Sequence, residues 1–535
     1  MKAVTFCTVA FVVTVASTAK AQAQDSGAQA PPPSSGPTPP APPAAAPPLG
    51  APSSGVDSTS AGQPAPSASP PPAAPSASPS RSTPASSGGP GDANPNAGGP
   101  GGLVVESPTS TTTVSPNPFV NRQTPTAEGG PGDPAAVAAG PGGFRIVAIN
   151  NSAEIRFRAL VQADGRFWFD DVQRPQVNTF LIRRAQPWVE GRLPYGVTFL
   201  LNPDFGGGTT VLQDAYLGLD LHEAFKLRFG KYRPPFGLER LQPTSNLSFV
   251  EFGLPTLLTP NRDVGAMAYG DLASRFVGYA AGIFNGVPDN ASADLAAESW
   301  KEFDGRVYLR PLEPIADHAA GRLFVGVSGT FGYVNGTLAN PLLPTYKTQG
   351  QASDFTYIAA ATGANFANTT VANGAHNRYG AYLYYALGPL SVLGEFYESD
   401  QLVGNATKGN VWVHNTAYQG QATFAFFGAD ASYDYVHVQT PFDPSAGHFG
   451  ALELALRAGH LNIGSNAIPT YATIGQIHGA TEYAAGLNWY WSDNAKLVAN
   501  LDHTEFQGGT ATAPEIAIGH REAENIVLLR AQVVY

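Results

Sequence analysis

Between residues 155 and 169 the even positions include Arg156, Arg158, Gln162, Asp164 and Arg166, while the odd positions are Ile155, Phe157, Ala159, Val161, Ala163, Gly165, Phe167 and Phe169. Guanidiniums keep their charge at physiological pH and hold anions through in-plane N–H donors. A row of them at a spacing of two, with no nucleophile among them, can hold and hand on anions but breaks no bond. Bond-breaking chemistry has no visible seat elsewhere. The ten histidines are dispersed, with no HExxH pair, and no serine or acid stands in a local arrangement with a base. Gly206, Gly207 and Gly208 lack the lysine of a phosphate-binding loop and read as a turn. The single cysteine, Cys7, lies in an N-terminal apolar run, so disulfides, thiolate metal sites and cysteine catalysis are excluded for the rest of the chain. No cofactor or metal is implied, and a net charge of −11 argues against nucleic acid as a partner.

The element that positions such a row is a strand, because side chains on a strand point to opposite faces in turn. The run 155–169 has one apolar face and one face with three arginines. It is far longer than the five or six residues of an ordinary soluble strand, and long enough to cross a bilayer at a tilt. The pattern recurs. Phe225, Leu227 and Phe229 alternate with Lys226 and Arg228; Val307 and Leu309 with Asp304, Arg306 and Arg310; Leu452, Leu454 and Leu456 with Glu453 and Arg457; Tyr483, Leu487, Trp489 and Trp491 with Glu482 and Asn488. After the N-terminus no stretch of eighteen apolar residues occurs, so helical spans are not expected. A mean hydropathy near zero fits a barrel in which lipid-facing and lumen-facing residues cancel. The fold class is therefore all-β: a transmembrane, antiparallel, up-and-down barrel.

Connections alternate short and long. Residues 193–196, 222–223, 272–274, 388–389 and 492–494 are tight; 170–177, 233–261, 285–300 and 334–375 are long. Short inner turns and long outer loops are the asymmetry of outer-membrane barrels. Assigning 429–438 to an inner connection gives sixteen strands; eighteen is the alternative, with a further strand between Gly459 and His478. Three domains follow. Residues 1–21 have the layout of a secretory signal peptide. Residues 22–143 are rich in Pro, Ala, Ser and Gly, with 29 of the 48 prolines in 25–143, and read as a disordered tether, either a spacer in contact with the cell wall or a solvated tail. Residues 144–535 are the barrel.

A membrane-spanning sheet must be closed, and charge on its lipid face costs roughly 2–4 kcal/mol at the midplane. By that rule Arg156, Arg158, Arg166, Arg184, Arg192, Lys226, Arg228, Arg306 and Arg310 line the lumen. Arg183 and Arg184 are adjacent and cannot both point inward on a regular strand; Arg184 fits the inward parity and Arg183 is expected near the outer interface. The loop 233–261 mixes apolar and charged residues and is expected to fold inward as a constriction, with Lys231, Arg233, Glu239, Arg240, Glu251 and Arg262 in or around it. The basic first half suggests anion attraction, yet residues 144–535 hold 26 Lys and Arg against 35 Asp and Glu.

Several ordered segments resemble the phosphate-selective porin O and P family: FLIRRA at 180–185, GKYRPPFGLE at 230–239, PNRDVG at 260–265, GALELALR at 450–457 and GLNWY at 486–490. The resemblance covers 144–535 and none of the Pro-rich segment. It implies a sixteen-stranded homotrimer in the outer membrane of a Gram-negative-type bacterium. The family's phosphate-specific members use a lysine ring and an arginine ladder. Here the six barrel lysines (Lys226, Lys231, Lys301, Lys347, Lys408 and Lys496) are scattered, which leaves a partial arginine ladder. The terminal alternation Val527, Leu529, Ala531, Val533, Tyr535 resembles the signal read by the barrel-assembly machinery. The expected function is passive diffusion of small hydrophilic solutes, anions such as phosphate among them, with weak anion preference. The second reading is a structural envelope anchor or adhesin with a plugged barrel, which an open-channel current would exclude.

Overall fold

A computed structural model describes residues 135–140, 143–148, 151–169, 176–313, 322–359, 366–434, 436–472, 475–509 and 521–535. The expected signal peptide and most of the Pro-rich segment lie outside these residues. In chain order the strands are β1 (Ala135–Gly140), β2 (Gly143–Ala148), β3 (Glu154–Phe169), β4 (Thr179–Arg192), β5 (Val197–Asp204), β6 (Val211–His222), β7 (Phe225–Tyr232), β8 (Asp263–Leu272), β9 (Val277–Phe284), β10 (Glu302–Leu309), β11 (Arg322–Asn335), β12 (Tyr346–Lys347), β13 (Ser353–Phe355), β14 (Val371–Leu387), β15 (Leu390–Asn405), β16 (Gly409–Phe427), β17 (Ala451–Asn462), β18 (Ile477–Ser492), β19 (Ala495–Gly508) and β20 (Glu524–Val534).

Strands β3 to β11 and β14 to β20 pair antiparallel in chain order, and β20 pairs back onto β3, so sixteen strands close on themselves. Closure leaves no sheet edge within the wall, which is what allows a backbone to sit in hydrocarbon. The stretch where an eighteen-strand barrel would need another strand instead carries a 3-10 turn at Ser465–Ala467. β2 pairs with the foot of β3, from Phe144 opposite Phe157 to Val147 opposite Glu154, just beyond the point where Val534 of β20 meets Leu160. β1 pairs with β2. These two strands extend the sheet at its inner end without widening the ring. Ala135–Gly140, within the segment expected to be tether up to residue 143, has ladder partners in Gly143–Ala148.

The alternation read from the sequence is the alternation of the wall. Phe157, Val161, Leu217, Phe229, Phe303, Val327 and Leu487 are 43–59 % exposed, whereas Gln162, Asp164 and Arg166 are at most 7 % exposed. That is the inverse of a soluble core and requires lipid to cover the apolar face. The wall is uneven in height: β14, β15 and β16 have 17, 16 and 19 residues, while β7, β9 and β10 have eight each.

One glycine sets a register. Gly230 sits opposite Tyr216 at φ +128°, and a Cβ there would lie 2.2 Å from the Ala215 carbonyl oxygen. No side chain fits that approach. Gly230→Ala is therefore expected to lower the yield of folded barrel, read as the fraction showing a heat-modifiable gel shift; an unchanged fraction would remove Gly230 from this role.

Part of the lumen is filled by the chain itself. Phe236, Leu254 and Leu258 of the loop 233–262 pack with Tyr346 and Phe355 of the β12–β13 ribbon against the lumen-facing Tyr397, Val403, Val413 and Leu461. Apolar residues in a loop that would otherwise be wet explain themselves here: they form a small soluble-type core inside the barrel, against β15 to β19. The passage that stays open runs along β3 to β11.

Candidate functional site

The loop 233–262 leaves β7 and crosses the lumen because the far wall supplies partners for its backbone and its charges. Glu395 of β15 accepts the N–H groups of Leu238 (2.8 Å) and Glu239 (2.7 Å). Further along, Lys496 donates to the Leu247 carbonyl (2.8 Å), Asn488 to that of Ser248 (2.9 Å), and Asn500 accepts from the Val250 N–H (2.6 Å). Arg457 of β17 donates to Glu482 (2.9 Å) and to the Glu251 carbonyl (3.1 Å), and lies 4.2 Å from the Phe249 ring centre. Glu251 then receives Arg166 of β3 (2.9 Å) and Arg183 of β4 (2.7 and 3.2 Å). Burial pushes the Glu251 carboxyl up, but Arg183 overcomes it and holds the group well below the usual carboxylate range.

Two cavities lie on either side of this loop. The outer one, of about 200 Å³, is lined by Arg183, Arg184, Arg233, Arg240, Arg262 and Lys347 against only Asp204 and Glu251. The inner one, of about 510 Å³, has Arg158, Arg228, Arg233, Arg262 and Arg306 against Glu190, Asp214, Asp434 and Asp493. Four residues line both: Gln186, Thr244, Arg233 and Arg262. They mark the neck between the two spaces. Arg233 is pinned by the carbonyls of Arg240 and Gln242, both at 2.6 Å, and Arg262 by Asp214 at 3.2 Å. Burial, with Arg262 beside it, lowers the Arg233 guanidinium from its ordinary value, and burial lowers Arg240 likewise; both stay cations.

A second inward element comes from the other end. The inner connection 428–450 folds up into the barrel, where the Tyr433 hydroxyl donates to the Leu238 carbonyl (2.6 Å) and Gln242 donates to the Tyr433 carbonyl (2.7 Å). It forms part of the inner chamber's wall through Tyr433 and Asp434. Burial pushes Asp434 up to about 8, against the pull of Arg322 and Arg310.

The residues singled out from the sequence are distributed as follows. Arg158, Arg184, Arg228, Arg233, Arg240, Arg262 and Arg306 border one or both cavities. Arg166 faces the lumen but is taken up by Glu251 and the Gly350 carbonyl. Glu239 is buried behind the loop, where it accepts from Gly253 and Gln419. Arg156, Arg192, Lys226 and Arg310 sit toward the inner end of their strands, away from the neck; Arg156 pairs with Glu154 and Arg310 with Asp271. Two expectations are corrected. Arg183 is not at the outer interface: the register slips between Gln162 and Ala163, so Arg183 is the extra residue of a bulge, and it turns inward to Glu251 beside Arg184. Lys231 is not in the constriction: it shares the outward parity of Phe225, Leu227 and Phe229, and pairs with Asp294 of the outer loop at 2.5 Å. Sequence reasoning missed Thr244, Gln186, Tyr433 and Asp434 altogether. The lumen-facing Glu395 and Arg457 were open to the parity rule that found the arginines.

The profile of phosphate-selective porin O and P matches residues 155–306 and 340–535. The chain belongs to this family. The porin is accordingly a channel of the Gram-negative outer membrane. Among solved structures, its fold is similar to an anion-selective porin from Comamonas acidovorans (11 % identity, 72 % of this chain and 100 % of that one, TM-score 0.42) and to the outer membrane channel DcaP of Acinetobacter baumannii (11 %, 72 % and 98 %, 0.45). A trimer form of OmpT, an outer membrane protein of Vibrio cholerae, is similar at 10 % identity (72 % and 100 %, 0.44). No curated protein matches the porin's sequence.

Proposed function

We propose that the porin passes small hydrophilic anions, phosphate among them, and that Arg233 and Arg262 at the neck set its preference. The observation that carries this reading is the neck itself: the passage between two water-accessible spaces is bordered by two fixed guanidiniums, with a strongly basic vestibule outside. Fixed charge at a narrow, low-dielectric point acts on permeating ions far more than charge in open water. The overall acid surplus does not oppose this. Charge acts locally at a constriction, and the residues that border the neck are two arginines, Gln186 and Thr244.

In a potassium chloride gradient across a planar bilayer, the reversal potential is expected to show chloride preference. Arg233→Glu should shift the permeability ratio by roughly tenfold toward potassium, and Arg228→Glu by less, because a double charge change in a constriction is worth about 1–2 kcal/mol. A reversal potential that neither substitution moves would remove both residues from the filter.

The preference should also fall as pH rises from 7 to 10. Asp434 is neutral below its value of about 8 and becomes an anion above it, which makes the passage less positive, while the guanidiniums keep their charge throughout. Asp434→Asn should abolish the step. A flat profile across this range would sink the assignment.

The porin is further proposed to be a homotrimer joined through its low wall. There the outward Ala215, Ala266, Ala268 and Ala281 are small and the Lys231–Asp294 pair lies at the rim, which suits close approach of a second wall. Tyr535, hydrogen-bonded through its backbone to Ala159, is proposed as the contact for the barrel-assembly machinery.

A further inference from the structure

The inner chamber is built for something larger than an inorganic ion. Its volume, about 510 Å³, lies within the roughly 300–1,000 Å³ of sites that hold organic molecules. Its wall interleaves cations with rings. The Arg228 guanidinium stands 4.3, 5.0 and 5.3 Å from the ring centres of Tyr216, Tyr269 and Tyr232. Arg306 stands 4.7, 4.9 and 5.3 Å from those of Tyr308, Tyr382 and Phe324. Three strand steps separate β7 from β10, so the two arginines are roughly 14 Å apart along the wall. Tyr433, rising from the inner end, stacks over Phe324 at 14° and extends the ring surface across the chamber.

Arg228 gives one N–H to the Tyr269 hydroxyl (3.3 Å) and Arg306 gives its Nε–H to the Tyr382 hydroxyl, contacts that orient two forks of five donors each toward a carboxylate. A small hydrated anion uses such a fork and gains nothing from the rings. An anion that carries a ring uses both, because its own face can meet a tyrosine or phenylalanine beside the charge. We propose that the inner chamber is a subsite for aromatic carboxylates, with the carboxylate on Arg228 or Arg306 and the ring against Tyr216 and Tyr269 or against Phe324 and Tyr308. The subsite rests on the anion-passing reading of the neck, and occupancy there must be weak enough for solutes to leave again.

Block of the chloride current by benzoate and by acetate, added to either side of the full-length protein in a planar bilayer, tests the subsite. Benzoate is expected to halve the current at a concentration roughly tenfold below that of acetate, the ring contacts supplying the difference. The double variant Tyr216→Leu/Phe324→Leu keeps apolar bulk and removes two ring faces; it should lose benzoate's advantage while its chloride reversal potential stays that of the unaltered protein. A chloride-preferring channel that benzoate and acetate block alike overturns the subsite and leaves the neck reading standing, as does a leucine variant that still favours benzoate. A potassium-preferring reversal potential overturns the neck reading itself.

Discussion

Arg457→Ala is expected to free the inward loop and raise the open-channel current. Arg457 is fully buried and joins three things: Glu482 on the neighbouring strand, the Glu251 carbonyl, and Glu239 of the loop at 3.5 Å. Without it Glu239 and Glu482 face each other as buried carboxylates with no cation between them. Burial already pushes the Glu239 carboxyl up, and Arg457 is the main charge pulling it back. Removing one partner of such a buried set costs about 3–5 kcal/mol, and one way to relieve it is for the loop to lift Glu239 into water. That is roughly two to nearly four orders of magnitude in the docked-to-undocked ratio. The anchors at Leu247, Ser248 and Val250 remain, as do those of Glu395 and Tyr433 at Leu238, so the movement should start at the Glu239 side chain and the Glu251 carbonyl that Arg457 had held. Single-channel recording should show a current on the order of twofold larger and noisier, since a barrel of sixteen strands is wide enough to conduct without its loop. Arg457→Lys keeps the charge and should sit between the two. A quiet current of unaltered size in the alanine variant would show that Arg457 does not hold the loop.

Barrel and pore differ in how far they could be read from the chain. The wall was legible because a two-residue period is a local property: once Ile155 to Phe169 is seen to alternate, the lumen side of Arg156, Arg158 and Arg166 follows. Sixteen strands followed from the alternation of short and long connections, and among the described residues no further strand lies between β17 and β18. The rule failed where the period is broken. At Arg183 a one-residue bulge turns the side chain back into the lumen, and nothing in FLIRRA announces it. Lys231 was a different kind of error. Its parity was outward from the start, and proximity to the loop outweighed the rule that should have placed it. Tyr433 and Asp434 were out of reach, because the partners that draw them inward, Leu238 and Gln242, lie about two hundred positions earlier in the sequence. Local pattern decides which face a strand residue takes; only long-range pairing decides what fills the space the faces enclose.

The same distinction points to the residue on which the outer half of the lumen depends. Arg378→Leu is expected to be the most destabilising single change in the barrel. Arg378 is fully buried on β14 and donates to Asp289 (2.7 Å), to both oxygens of Glu302 (3.1 Å), to Thr330 (3.2 Å) and to the Val287 carbonyl (2.5 Å). Asp289 in turn accepts from Ser399 (2.8 Å) and from Tyr346 of the ribbon (3.1 Å). One guanidinium thus ties four elements together: β10, β11, the outer loop 285–301 and, through Asp289, the β12–β13 ribbon. Taking it away leaves the buried Glu302 without its cation and Asp289 beside His376 (3.2 Å), at a cost of about 3–5 kcal/mol. Lysine should recover little, because a single ammonium cannot present the fork that meets Asp289 and Glu302 together. The temperature at which the folded band is lost on a heat-modifiability gel should therefore fall for leucine and for lysine alike. Neutralising a partner is the discriminating step. If the penalty is stranded charge, Asp289→Asn combined with Arg378→Leu should melt higher than Arg378→Leu alone, since the second change removes part of the burden the first created. If the double variant melts lower than the single one, the arginine acts by packing and the charge account of this cluster is wrong.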